Sequence, residues 1–302
     1  MRTYDHRFFQ RRHPARGTVI VEAAGRMIGA LLLGLAVQLS VQAQVQLPQF
    51  RIESQVYAGS GKSPVSENVT LFDSGVVYDF QMAATANTPP SEIVIFDEQK
   101  RQLTLMDINR KLSWTVDDIR LLTMLDQLRR ETVNNAKSSF LVTEKFNETH
   151  DWSSDKVLLE SDSFRYLLTG KRPDNESILP RYYEFLDQFT RLSASDPKRL
   201  PPFPRVALNK SIKKIGWIPT EVKVDIKPNA MFKEAFSAVS KHVLVMSLSD
   251  ADRERIKFAR KCWLEFQSCS LVEYRQIPTA SKRVASKLKD DPSSASTTSQ
   301  HR

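Results

Sequence analysis

Between Val69 and Val116 the apolar residues fall at every second position, and the runs are broken by residues suited to tight turns. Val76, Tyr78, Phe80 and Met82 alternate with Val77, Asp79 and Gln81. A period of two is the period of a strand, whose successive side chains point to opposite faces. Asp73-Ser74-Gly75 interrupts the run where a hairpin needs its turn, because Asp can bond its own backbone and Gly accepts positive φ. The same pattern then recurs as strands over 92–96, 102–107 and 112–116, with polar turns between them. Hairpins that follow one another in this way make a meander, so the chain must build around an antiparallel sheet.

Further strands are expected over 50–57, 69–72, 139–145, 156–161, 163–169, 220–227 and 237–248, which brings the total to about eleven. Val222, Val224 and Ile226, set between charged residues, form the clearest strand with one buried face. Helices are expected near 117–137, 177–195, 204–215 and 249–269. Thr115 and Asp118 have capping-box spacing, and so do Ser249 and Asp252. Ser177 can cap the second helix with Pro180 in its first turn, and Gly216 is placed to end the third. In the second helix Ile178, Tyr182, Phe185, Leu186, Phe189 and Leu192 recur at helical spacing, which reads as a packing stripe, with a ligand surface as the alternative. The helices fall after the sixth, ninth and eleventh strands. The expected class is therefore α+β, a curved antiparallel sheet forming an incomplete barrel of about eleven strands packed by helices.

The net charge of +9 resides mainly at the ends. Residues 1–43 hold six Arg against Asp5 and Glu22, and residues 279–302 hold five basic residues against Asp290 and Asp291. The body keeps +2, which is no basic face for nucleic acid. Arg26 precedes an apolar run from Met27 to Val41, and Ala43 stands where a signal peptidase cuts. Residues 1–43 thus read as a secretory signal, cleaved after Ala43, and the protein as periplasmic or secreted; the alternative is an uncleaved N-terminal membrane anchor. A single domain is expected over 44–278, followed by a disordered Ser/Thr/Lys-rich tail over 279–302. Cys262 and Cys269 lie seven apart in a helical pattern, about 10 Å at 1.5 Å per residue, and a disulfide needs less than about 7 Å. Two buried free thiols are expected.

No motif announces a reaction. Gly59-Ser60-Gly61-Lys62-Ser63 has the ending of a phosphate-binding loop, but Val56 stands where the first Gly belongs and Pro64 where a helix should begin, so no nucleotide is expected. His150, His242 and His301 have no companion ligand at metal spacing, and no metal or cofactor is implied. Asp73, Asp97 and Asp107 sit at strand ends, where turn chemistry accounts for them. Asn68, Asn147, Asn175 and Asn209 begin N-glycosylation patterns.

The order of elements resembles the periplasmic outer-membrane lipoprotein carriers, the lipoprotein-sorting proteins. The resemblance runs through Phe50-Arg51-Ile52-Glu53-Ser54, Val77-Tyr78-Asp79-Phe80, the run from Pro90 to Asp97, and Leu103 to Asp107 before the helix at Asp117. It implies a half-open barrel with a helical lid and covers about Phe50 to Arg130. The long helical region after Ser177 and the basic tail depart from it. The expected function is an exported, non-enzymatic binding protein that holds a lipid, or an acyl chain of a lipoprotein, in an apolar half-barrel. Tyr78, Phe80, Ile93, Ile95, Leu103, Leu105, Leu122 and Leu125 are the candidate lining residues. The alternatives are a structural or interaction protein of the envelope with a closed core and other envelope proteins as partners, and a hydrolase with a carboxylate pair.

Overall fold

A computed structural model describes residues 47–82, 88–196 and 201–276. The expected signal over 1–43 and tail over 279–302 lie outside the described residues. Twelve strands form one sheet in the order β12-β6-β5-β4-β3-β2-β1-β11-β10-β9-β8-β7. The strands are β1 (Phe50–Ala58), β2 (Ser66–Asp73), β3 (Val76–Gln81), β4 (Glu92–Asp97), β5 (Gln102–Asp107), β6 (Leu112–Asp117), β7 (Asn147–Asp151), β8 (Lys156–Glu160), β9 (Phe164–Lys171), β10 (Ile218–Ile226), β11 (Phe236–Val245) and the two-residue β12 (Gln267–Ser268). All neighbours are antiparallel except β12 and β6. β7 and β12 do not pair with each other, so the sheet is open. The α+β class with a curved, incomplete barrel is as the sequence indicates.

The helices are α1 (Asp118–Asn134), α2 (Phe140–Thr143), α3 (Leu179–Leu192), α4 (Phe203–Ile215), α5 (Asp250–Glu265) and α6 (Leu271–Arg275). The Ser74-Gly75 turn joins β2 to β3 with φ of 44° and 81°, the two positive values of a type I′ hairpin. Gly216 ends α4 in the left-handed conformation, and Ser249 with Asp252 forms the expected capping box of α5.

Five local expectations are corrected. The strand expected over 139–145 is the helical turn α2, whose Leu141 is buried among residues of α4 and β8–β10. The strand lies instead over Asn147–Asp151, where a turn was expected: its sequence NETHD is polar throughout and carries no apolar alternation, as befits an edge. The α1 cap is Asp117, which accepts from the Arg120 backbone at 2.7 Å, while Thr115 is still in β6 and meets Thr104 across the ladder at 2.9 Å. Asn175, not Ser177, caps the 3-10 turn that leads into α3. The helix carrying Cys262 stops at Glu265, so Cys269 lies beyond it; both thiols are free, Cys262 buried and Cys269 half-buried.

Both faces of the sheet are covered over β2–β5. On the inner face Phe50, Ile52, Phe72, Val77, Val94 and Phe96 pack with α3 residues Tyr182 and Phe185. On the outer face Leu71, Tyr78, Phe80, Ile93, Ile95 and Met106 pack with α5 through Ile256, Ala259 and Cys262. A third cluster joins β8–β10 to α4 through Phe164, Tyr166, Val222, Leu208 and Ile212.

Candidate functional site: an apolar cavity on the inner face

The sheet curls so that β1–β4 and β9–β11 share one cavity of about 600 Å³ with α3 and the start of α4. That volume is within the range of about 300–1,000 Å³ common to small-molecule sites. Period two decides which side chains reach it. Ile52, Ser54 and Val56 enter from β1, Val224 and Ile226 from β10, and Phe164 and Tyr166 from β9. Helical spacing brings Tyr182, Phe185 and Phe189 from α3. The Phe185 ring meets Phe72 edge-on at 5.8 Å and lies 5.5 Å from Phe189.

Polar groups are set into this apolar wall. Asp79 on β3 accepts from Thr70 Oγ1 at 2.6 Å and Asn68 Nδ2 at 2.9 Å. Glu92 on β4 accepts from Tyr274 Oη at 2.9 Å. Burial first, and then the Glu92 carboxylate, raise the Tyr274 phenol. Across the β1–β11 ladder Ser54 faces His242, with 2.8 Å between Ser54 Oγ and His242 Nδ1. His242 Nε2 lies 3.0 Å from Ser240 Oγ, whose own proton goes to the Val222 carbonyl at 3.3 Å. The consistent arrangement is a neutral imidazole with Nε2–H donating to Ser240 and Nδ1 accepting from Ser54. Burial lowers the His242 pKa to about 4, and the Arg205 charge adds to the shift.

Arg205, in the first turn of α4, also lines the cavity. Its field reaches Tyr166 and Tyr182 as well as His242. Burial pushes the Tyr166 phenol up to about 12, and Arg205 partly opposes that rise. Among the described residues no three His, Cys, Asp or Glu come together as a metal-holding group.

None of the eight side chains proposed from the sequence lines this cavity. Tyr78, Phe80, Ile93 and Ile95 are on the outer face, buried beneath α5. Leu103 and Leu105 are on the inner face but packed into the closed part of the core with Leu121. Leu125 is buried, and Leu122 is 41% exposed on the α1 surface. The reason is that β3 and β4 are buried on both faces: Val77 and Asp79 point to the cavity side, the faces of Tyr78 and Phe80 point away, and alternation alone does not say which face is concave. Of the glycosylation patterns, Asn209 is 1% exposed, so its side chain is not open to modification in the folded protein, and Asn68 is half-buried and bonded to Asp79.

No family model and no curated protein sequence matches the chain. Among solved structures, PNGF-II in space group C2 is similar at a TM-score of 0.30 and 8% identity, over 76% of this chain and 32% of that one. This chain thus spans about a third of PNGF-II. A LolA superfamily protein, NE2245 from Nitrosomonas europaea, is similar at a TM-score of 0.26 and 6% identity, over 68% of this chain and 89% of that one. Likeness at this level assigns neither family nor function to the chain.

Proposed function

We propose that this protein is an exported, non-enzymatic binding protein that holds an acyl chain in the inner-face cavity, either of a free lipid or of a lipoprotein. The observation that carries the reading is the cavity itself. Tyr182, Phe185 and Phe189 line it rather than fill it, which argues against a closed core with no ligand. Apolar walls with a few fixed polar groups are what an amphiphile requires. Asp79 and Glu92 are held by hydrogen bonds from Thr70, Asn68 and Tyr274, which suits ties between secondary-structure elements better than a hydrolytic pair. Export and periplasmic or secreted location belong to the same proposal.

The test is lipid extraction and mass spectrometry on protein purified from its native compartment, together with titration of a fluorescent acyl probe. Co-purified acyl lipid, or saturable probe binding displaced by a long-chain lipid, is the expected result. Repeated absence of both returns the protein to the structural reading, with other envelope proteins as its partners.

A further inference from the structure

Arg205 is a guanidinium at an apolar cavity, and among the described residues it has neither a carboxylate within ion-pair distance nor a hydrogen-bond partner. Among the described residues the buried Arg181 pairs with Glu98 at 2.9 Å, and the half-buried Arg51 pairs with Asp252 at 3.0 Å. Removing a charge from water without a partner is unfavourable, so a half-buried Arg in an apolar wall calls for an anion. The carboxylates that line the cavity do not supply it. Asp79 and Glu92 stand on β3 and β4, whereas Arg205 stands on α4 against the β9–β10 half, with β2, β1 and β11 between them in the sheet. The titratable groups that Arg205 acts on are Tyr166, Tyr182 and His242; burial raises both phenols and the imidazole is neutral, so none adds a competing charge.

We infer that Arg205 anchors the anionic head of a single-chain amphiphile, such as a long-chain carboxylate, whose tail lies along Ile52, Phe72, Val94 and Phe185. This rests on the acyl-cavity reading and narrows it to a ligand class. The planar fork of Arg matches a carboxylate with two parallel hydrogen bonds, which a hydroxyl or a quaternary ammonium cannot reproduce. Arg205 thereby selects among chains of equal length by their heads, and the apolar wall holds them all.

The experiment compares palmitate, hexadecanol and hexadecyltrimethylammonium as displacers of a fluorescent acyl probe at pH 8, on the full mature chain and on its Arg205→Met and Arg205→Lys variants. Palmitate is expected to bind wild type at least about tenfold more tightly than hexadecanol, as suits a charge-assisted hydrogen bond. R205M should bring palmitate down to the level of hexadecanol, while R205K keeps part of the preference. Circular dichroism and thermal melting check that both variants fold. Equal binding of palmitate and hexadecanol by wild type, or an undiminished preference in R205M, overturns the head-group inference and leaves the acyl cavity standing. Binding of none of the three chains overturns the cavity reading, and the inference falls with it.

Discussion

Thr70 and Asp79 are cross-strand partners on β2 and β3, and the Thr70 hydroxyl donates a 2.6 Å hydrogen bond to the Asp79 carboxylate on the inner face of the sheet. Asn68, two residues away, donates to the other carboxylate oxygen at 2.9 Å. Both donors lose this acceptor if Asp79 is truncated. Asp79→Ala is therefore expected to cost about 1–3 kcal/mol, the range for leaving buried polar groups unsatisfied. Asp79→Asn, which keeps one acceptor oxygen, should cost less. Urea denaturation of the two variants and wild type measures the order; D79A as stable as wild type would show that the cluster contributes nothing.

His242 gives the fold a pH dependence of defined sign. Its folded pKa, about 4, lies below the ordinary 6.5. Between those values the unfolded chain binds a proton that the folded chain does not. Stability should hold above pH 6.5, fall as pH drops from 6.5 to 4, and gain no further loss from this group below that. The full shift corresponds to about 3 kcal/mol, and contact with the cavity brings the expected loss nearer 1–2 kcal/mol. Denaturation of wild type and His242→Gln across that window tests it: the variant should show a shallower slope, and parallel slopes would exclude His242 as the source.

Much of the fold is legible in the chain, and the parts that are not share a physical cause. The hairpin at Ser74-Gly75, the α4 terminator Gly216 and the Ser249–Asp252 box are local signals, and they operate locally. The inner face of β1 is legible too, because Ile52, Ser54 and Val56 alternate with Arg51, Glu53 and Gln55. The concave face of β3 and β4 is not, because both faces are buried and period two is satisfied either way. Arg205 is one of several basic residues on α4, and only the tertiary fold separates it from Lys213 and Lys214. Gly170 is silent in the sequence as well: a Cβ there would meet the Ile218 carbonyl at 2.9 Å, a close approach set by the β9–β10 pairing.

On the outer face Asp252 joins α5 to the sheet. Its carboxylate is fully buried and accepts from the Ser249 backbone at 2.9 Å, Ser249 Oγ at 2.7 Å, Arg51 at 3.0 Å and Arg255 at 2.9 Å. Burial alone would raise its pKa, but the hydrogen bonds from Ser249 and Arg51 outweigh it and hold the group below 3.8. Because the folded pKa is the lower one, the contribution is present above about pH 4 and is lost as pH falls through the folded value. Asp252→Ala removes a helix cap and one partner of Arg51, for an expected loss of about 2–4 kcal/mol at neutral pH. Denaturation at pH 7 and pH 3 should show the gap between wild type and variant narrowing in acid, with acyl-probe affinity unchanged at neutral pH. A gap that widens in acid would contradict the assignment.

The two faces of the sheet make opposite predictions for the same substitution. Val224 is half-buried, lines the cavity and lies beside Tyr166 on the neighbouring strand. A Trp there grows into open space, so Val224→Trp should change stability by less than about 1 kcal/mol and weaken acyl-probe binding about tenfold or more. Ile95 is 1% exposed beneath α5 and has no space to grow. Ile95→Trp should overpack the outer core, costing about 1–3 kcal/mol or more, and leave probe affinity within about twofold in the fraction that folds. Urea melts and probe titrations on both variants separate the two effects. If V224W binds the probe as wild type does, the chain does not lie against β10; if I95W abolishes binding while the fold survives, the ligand lies on the outer face and the inner cavity is not its site.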